Sequence, residues 1–166
     1  MINISGLSSR YAVRRLEARD VDAVVSLCRE NTQFYLYCDA EPSAEQVLED
    51  MSVTPPGVDP SDKYYTGFFL DDILIAVMDL IDGYPKPHIA FMGFFMVNKA
   101  FQGQNIGSSI IREASEYLKT LGKRAIRLAV DKGNPQSTHF WEKNGFAVLK
   151  EADRNGRTLL VAEKTL

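Results

Sequence analysis

The chain has 166 residues, 45% of them hydrophobic and 25% charged, which fits one globular domain with a full core. Its net charge of −3 and pI near 5.4 argue against a nucleic-acid binder, which needs a basic face. Cys28 and Cys38 lack metal-ligand spacing, so no metal site is expected. No basic start followed by an apolar run is visible, and the longest apolar run is too short to span a membrane. We therefore expect a reduced, cytoplasmic protein without a membrane or nucleic-acid partner.

The first third of the chain predicts a frayed start, one strand and two helices. Residues 1–10 carry no periodic pattern, and Tyr11–Glu17 predicts a strand. Apolar residues then recur at helical spacing: Val21, Val24, Val25 and Cys28. Asn31–Pro42 is irregular and aromatic. Ser43 opens a second helix with Gln46 as its capping-box partner, and the apolar side of that helix consists of Val47, Leu48 and Met51.

The middle of the chain predicts three antiparallel strands in a meander. Lys63–Leu70 and Ile73–Ile81 flank an Asp71-Asp72 hairpin turn. His88 begins the third strand, which runs through the apolar stretch to Val97. Gly93 inside this strand indicates a bulge.

The last third predicts helix, strand, helix and hairpin. A long helix follows the glycine turn, with Ile106, Ile110, Ala114, Leu118 and Leu121 on one face. Ala125–Val130 is reached through that helix, so we expect it to pair in parallel with the central strand. Pro135 suits the first turn of another helix. Asn155-Gly156 between two apolar runs is a strong hairpin signal, and we expect Thr158–Glu163 to form an edge that could pair across a homodimer.

The glycine turn, Gln102-Gly103-Gln104-Asn105-Ile106-Gly107, is the first candidate binding site. A strand that turns through glycines into a helix directs free backbone N–H groups at one spot, which suits a phosphate. No Lys-Ser/Thr pair follows, and the glycine spacing differs from a dinucleotide fingerprint. Taken alone, the turn is a weak motif, and an ordinary strand-to-helix connection is the alternative interpretation.

The order of elements resembles the GNAT superfamily of N-acetyltransferases across nearly the whole chain. The turn is similar to that family's Arg/Gln-x-x-Gly-x-Gly/Ala motif at Gln102 and Gly107, with Asn105 in place of the middle glycine. Asparagine tolerates a positive φ, so the turn is expected to survive. The segment from Asn134 to Phe146 resembles the family's Asn-x-x-Ala/Ser-x-x-Phe-Tyr-Glu-x-x-Gly-Phe pattern.

This resemblance implies a fold and a cofactor. The fold is a mixed α/β one of the α+β type, with a splayed, mostly antiparallel sheet of six to seven strands and about four helices on both faces. One domain, residues 1–166, would use acetyl-CoA as acetyl donor, and Gly93 would mark the point where the central strand splays. The implied cofactor-binding residues are Phe95, Met96, Val97, Gln102, Gly103, Gln104, Asn105, Ile106, Gly107, Ser108, Asn134 and Ser137.

The catalytic residues depart from the family pattern. Trp141 stands where the family often has a tyrosine acid, and an indole N–H cannot give up its proton at useful pH, so Trp141 is expected to shape the pocket. No carboxylate stands mid-way along the central strand. His88 is the first candidate base, because its ordinary pKa of about 6.5 suits the task; Asp79 and Asp82 are alternatives. Tyr84 could replace the missing acid.

The resemblance implies an acetyl transfer to a small-molecule, peptide or protein amine by direct attack. Four carboxylates, Asp39, Glu41, Asp79 and Asp82, could attract a cationic amine, and the acceptor wall would come from residues 31–51 and from the loops at 54–60 and 82–87. Two other interpretations stay open. One is a CoA-binding module with weak or no catalysis, and the other is an interaction domain that has kept the fold.

Overall fold

A computed structural model describes residues 1–38 and 41–166. The helices are α1 (Val21–Glu30), α2 (Thr32–Tyr35), α3 (Ala44–Ser52), α4 (Ile106–Thr120) and α5 (Pro135–Lys143). The strands are β1 (Ala12–Arg15), β2 (Lys63–Leu70), β3 (Ile73–Asp82), β4 (Ile89–Val97), β5 (Ala125–Asp131), β6 (Ala147–Arg154) and β7 (Arg157–Thr165). The predicted α+β class is confirmed.

The seven strands form one sheet in the order β1-β2-β3-β4-β5-β7-β6. Every neighbouring pair is antiparallel except β4 and β5, which are parallel and joined through α4, as the sequence predicts. Asp71 and Asp72 adopt positive φ at the β2–β3 turn, and Asn155 and Gly156 do so at the β6–β7 turn. These are the left-handed conformations that tight hairpin turns require.

The central strand β4 carries the predicted bulge at Gly93. Asp79 pairs with Phe94 and Leu80 pairs with Met92, which leaves Gly93 as the extra residue. The parallel pairing of β4 with β5 stops at the Met92–Leu128 pair, although both strands continue. The sheet is therefore splayed between β4 and β5 beyond the bulge.

Each face of the sheet holds its own core. Ile110, Ala114 and Leu118 of α4 pack with Met92 and Ile126 on one face, which α5 also covers through Trp141. Residues of α1 and α3 pack on the opposite face with Tyr65, Val77 and Met96. Helices therefore cover both faces, as expected, and the gap between β4 and β5 opens between the two layers.

The N-terminal segment is ordered, so the prediction that residues 1–10 are frayed is wrong. Ile4–Leu7 forms a short 3-10 helix, and Ile2 and Leu7 are buried. The Ile2 N–H donates to the hydroxyl of Tyr64 at 3.0 Å. This anchor comes from a residue more than 60 positions away, so local pattern could not reveal it.

Three other local predictions differ from the structure. Leu48 and Leu121 are exposed rather than in the core. Ser43 caps α3 as predicted, but the Gln46 side chain bonds forward to Asp50 (Nε2 to Oδ1, 2.9 Å) instead of back to the cap. β7 lies between β5 and β6, so it is not an edge strand; β6 is the outer strand at that side. The predicted dimer contact through Thr158–Glu163 is therefore wrong.

Candidate active site

A cavity of about 1250 Å³ fills the gap between β4 and β5 and continues under α2 and the loop after α3. Its volume exceeds that of a typical single-ligand pocket, roughly 300–1,000 Å³. The predicted cofactor-binding residues all line it except Gln104, and of the candidate bases Asp79 lines it, whereas His88 and Asp82 do not. The splayed sheet thus joins segments from the middle and the end of the chain around one space.

The glycine turn presents free backbone donors to this cavity. Gly103 and Asn105 adopt left-handed φ values of 75° and 61°, so Asn105 takes the conformation the motif requires. α4 begins at Ile106, and its first ladder bond runs from the Ser109 N–H to the Asn105 carbonyl at 3.0 Å. The N–H groups of Ile106, Gly107 and Ser108 precede that bond and have no intrahelical acceptor. Their combined dipole favours an anion.

Gly107 lets the start of α4 approach β4 closely. A Cβ at this position would lie 3.1 Å from Val97 Cγ2 and 3.2 Å from Phe140 Cε2. A larger residue would therefore push the helix away from the strand.

Gln102 supports the turn from inside. Its Nε2 donates to the Val97 carbonyl at 2.9 Å and to Asn31 Oδ1. Asn31 is buried at the end of α1 and also donates to the Val97 carbonyl, at 3.2 Å. The Gln102 N–H is bonded to the Lys99 carbonyl. These contacts indicate that Gln102 shapes the turn, a role that the motif alone does not reveal.

Gln104 turns away from the cavity. Its side chain is exposed and donates to the Ala100 carbonyl at 3.2 Å.

α5 forms the far wall of the gap. The buried Asn134 caps this helix, because its Oδ1 accepts from the Ser137 N–H at 3.2 Å. Trp141 is 9% exposed and packs edge-to-face on Phe140 and Phe146, with ring centroids 4.9 and 5.0 Å apart. Phe95 of β4 stacks on Phe140 across the gap at 6.0 Å. Trp141 therefore forms part of this wall.

A buried ion pair lies at the bulge. Lys63 Nζ donates to both carboxylate oxygens of Asp79, at 2.9 and 2.8 Å, and the two side chains are 4% and 11% exposed. A Cβ on Gly93 would lie 2.5 Å from Asp79 Oδ2. The bulged glycine is thus what leaves room for this carboxylate beside β4.

The environment of this pair raises the pKa of Asp79. Burial is the main cause, and the Lys63 cation opposes it. The pKa of Asp50 on α3 is also raised, again mainly by burial, with the hydrogen bond from Gln46 acting in the opposite direction. A buried carboxylate with a raised pKa in a cleft is a common property of functional sites.

The other candidate bases, His88 and Asp82, lie apart from this cluster, whereas the candidate acid Tyr84 lines the cavity. His88 is exposed, precedes β4 by one residue and lies about 16 Å along the strand from Gly93. It does not line the cavity. Asp82 pairs with Lys123 instead. Asp39 lies outside the described residues, and Glu41 is exposed.

The sequence interpretation missed several residues of the cavity. They are Lys63, Phe91 and the β6–β7 hairpin residues Arg154 and Arg157, whereas Asn31 and Asp50 fall within the predicted acceptor wall of residues 31–51. One signal was available, because a lysine and an aspartate inside otherwise apolar strands are rarely buried unless paired. The register that brings Lys63 and Asp79 together was not readable from the sequence.

Three further observations limit the chemistry. Cys28 is buried, and burial raises the pKa of its thiol, which disfavours a nucleophilic role. Within residues 1–38 and 41–166, no group of three or more His, Cys, Asp or Glu side chains is placed to hold a metal ion. No helix in the same part of the chain has the length and apolarity needed to cross a bilayer.

Comparison with known proteins identifies the family. The family model of the Acetyltransferase (GNAT) family matches residues 24–146, which include both the glycine turn and α5. The chain belongs to the GNAT family of acetyltransferases.

The chain is also similar to two individual acetyltransferases. A probable spermine N(1)-acetyltransferase of Bacillus subtilis subsp. natto is 24% identical over 105 residues, 63% of this chain and 69% of that protein. The mycothiol acetyltransferase of Propionibacterium freudenreichii subsp. shermanii is 29% identical over 68 residues. That match covers 41% of this chain and only 21% of the relative's length.

A solved structure supports the fold. The PaiA N-acetyltransferase from Thermoplasma acidophilum, crystallised in complex with coenzyme A, superposes with a TM-score of 0.68 at 22% identity. The match covers 94% of this chain and 99% of that chain. At this identity the likeness concerns the fold.

Proposed function

We propose that this protein is an acetyl-CoA-dependent N-acetyltransferase that acts on a primary amine. The observation that carries the proposal is the position of the Gly93 bulge. It opens the gap between β4 and β5 and also leaves room for the Asp79 carboxylate, so a donor site and a candidate proton acceptor meet at one point. Family membership supports the reaction class.

The donor half of the cavity fits acetyl-CoA. The free N–H groups of Ile106, Gly107 and Ser108 would hold its pyrophosphate. Beyond Met92, the β5-facing edge of β4 has no strand partner in the described chain, so the backbone of Phe95–Val97 is available to the pantetheine amides. Asn134, Ser137 and Trp141 would line the other side of this arm.

When bound, acetyl-CoA supplies an activated thioester. In the proposed reaction, an ammonium loses one proton, the neutral nitrogen bonds to the carbonyl carbon, and the carbon–sulfur bond breaks. A second nitrogen proton ends on the thiolate, so the products are an N-acetylamine, CoA thiol and one free proton. This chain would contribute by holding both reactants in line and by donating backbone N–H groups to the carbonyl oxygen.

Asp79 is the proposed proton acceptor in place of His88. It lines the cavity at the bulge, whereas His88 does not. Burial raises the pKa of Asp79, which makes its carboxylate a better base than an ordinary aspartate. Trp141 cannot serve as the acid, but a thiol with a pKa near 8.5 leaves without a strong one.

A CoA-binding module with weak or no catalysis is the second candidate. The tryptophan at position 141 and the absence of a carboxylate on β4 favour it. Two measurements separate the candidates. Acetyl-CoA at ~100 times its dissociation constant should stabilise either protein by about 2.7 kcal/mol in a thermal melt. Thiol release over a panel of amines should then occur only for an enzyme.

No thermal shift at millimolar acetyl-CoA would contradict both candidates and leave an interaction domain with this fold. A shift without thiol release from any amine would favour the binding module.

Cytoplasmic location and a homodimer stay predictions. Cell fractionation and sedimentation, respectively, would test them.

A further inference from the structure

We propose that the acceptor is a single primary ammonium carried on a flat apolar body, rather than a polyamine. The inference rests on the proposed function and names the substrate class of the same cavity. It concerns the part of the cavity on the α1/α3 face of the sheet, which we call the acceptor chamber. Its walls include Phe34, Asp50, Asp79, Tyr84, Phe91 and Phe94.

The register of β3 and β4 places the chamber. Asp79 pairs with Phe94, and Ile81 pairs with Phe91, so these side chains share one face. Val77, two residues before Asp79, belongs to the core under α1 and α3. The carboxylate therefore stands on the α1/α3 face, between an aromatic ring on each side of the bulge.

The aromatic rings form two fixed pairs. Phe34 of α2 meets Phe94 edge-to-face at 6.2 Å, and Tyr84 meets Phe91 edge-to-face at 5.4 Å. Because Gly93 is bulged, Phe91 and Phe94 lie opposite Ile81 and Asp79, which are two residues apart on β3, so the two rings leave β4 about 7 Å apart. This spacing suits a planar or narrow apolar group whose amine points at the bulge. Rings near an ammonium also attract it through their π faces.

Asp79 provides the chamber with capacity for one ammonium. Asp50, the other carboxylate of the wall, already accepts a hydrogen bond from Gln46 Nε2 at 2.9 Å, and burial raises its pKa, which disfavours its charged form. A carboxylate offers about four lone-pair sites, and Lys63 uses one on each oxygen of Asp79. An ammonium can therefore bind the remaining sites without displacing Lys63.

The charges that line the whole cavity do not suit a polycation. Among the described residues, three carboxylates face it: Asp50, Asp79 and Asp131. Four cations face it as well: Lys63, Lys143, Arg154 and Arg157. Asp79 is already paired with Lys63, and Asp131 is paired with Arg157 at 2.5 Å. A spermidine molecule would place further positive charges beside these cations with few carboxylates left to receive them.

The test compares three amines in the thiol-release assay at equal pH and ionic strength: 2-phenylethylamine, butylamine and spermidine. We expect kcat/KM for 2-phenylethylamine to exceed that for spermidine by at least about tenfold, with butylamine between them. Equal or better use of spermidine would overturn the proposal.

Phe91→Ala tests the aromatic wall. It should lower kcat/KM for 2-phenylethylamine about tenfold, chiefly through KM, and should leave butylamine nearly unchanged. The control is Leu70→Ala, an exposed residue at the β2–β3 turn that does not line the cavity; it should alter neither amine. If Phe91→Ala keeps the original ratio of kcat/KM values for 2-phenylethylamine and butylamine, the aromatic wall does not select the amine.

A binding measurement keeps the inference testable if no amine is turned over. With CoA present, the melting temperature should rise with 2-phenylethylamine and stay constant with equimolar spermidine. A larger rise with spermidine would contradict the chamber assignment even in the absence of catalysis. Failure of acetyl transfer with the expected amine shift would instead contradict the proposed function alone.

Discussion

The two halves of the cavity are lined by different kinds of groups, backbone N–H groups in one half and side chains in the other. The donor half comes from two compact segments, residues 93–108 and 128–141, and offers mainly backbone N–H groups at a strand edge and a helix start. The acceptor chamber draws single side chains from α2, α3, β2, β3 and β4. Ligand binding in the donor half should therefore depend on backbone conformation. Ligand binding in the acceptor chamber should depend on the charge and packing of side chains. Substitutions can separate the two.

The largest effect is expected from Gly93→Ala, which affects the chamber at its junction with the donor half. The added Cβ would lie 2.5 Å from Asp79 Oδ2, so the carboxylate must move. A displacement of about 1 Å in a catalytic group can cost on the order of 100-fold in rate. We expect that loss in kcat/KM, while the thermal shift with acetyl-CoA persists. Loss of the acetyl-CoA shift together with activity would show that the bulge serves the donor half instead.

Lys63→Met should change the pH profile. The Lys63 cation lowers the pKa of Asp79 against the effect of burial, so its removal raises that pKa further. A base is active as the carboxylate, and its activity is lost as the pH falls through its pKa; the acid limb of kcat/KM should therefore move to higher pH. Among the described residues, Asp50 and Tyr65 also interact electrostatically with Asp79, and the Met and Arg substitutions at position 63 leave both in place.

Lys63→Arg is the matched control and should keep the acid limb near its original position. The methionine variant should also lose about 3–5 kcal/mol of stability, because it leaves a buried carboxylate unpaired. A destabilised variant with an unchanged pH profile would limit Lys63 to a structural role.

Asn105→Val tests the donor half. A β-branched residue at a φ of 61° costs about 1–2 kcal/mol of strain, so the turn should distort and the Kd for CoA should rise. Asn105→Gly accepts that φ and should bind CoA as the original protein does. Calorimetry on the two variants gives the comparison. Equal Kd values would show that the turn conformation does not control CoA binding.

The smallest effect is expected at a site outside both halves. Arg14 donates to both carboxylate oxygens of Asp20, at 2.9 and 2.8 Å, and lowers the pKa of Asp20 to about 2. This stabilisation is present above the ordinary pKa of about 3.9 and is lost as the pH falls towards 2. Asp20→Asn should lower the free energy of unfolding by about 1 kcal/mol at neutral pH. Between pH 4 and pH 2, the free energy of unfolding of this variant should fall less than that of the original protein. Urea melts at several pH values check both, and the CoA shift should not change.

The sequence predicted the donor half better than the acceptor chamber because the donor half is local. The bulge at Gly93, the left-handed Asn105 and the start of α5 at Pro135 each follow from a few neighbouring residues. The Lys63–Asp79 pair depends on the register of β2 and β3, and the ordered N-terminus depends on Tyr64. His88 was favoured for its position at the start of the central strand and for its ordinary pKa, but that position lies outside the cavity.

The bulge also divides β4 into two segments of opposite phase. In an uninterrupted strand, Met92 and Phe94 would point to the same side. Here Met92 packs in the core with Phe95, and Phe94 packs with Met96 on the other face. Deleting Gly93 would therefore leave Met92 and Phe94 on their present faces and remove only the bulge, so that β3 and β4 would pair without interruption. An inserted residue, rather than a particular side chain, is what lets a single strand serve both ligands.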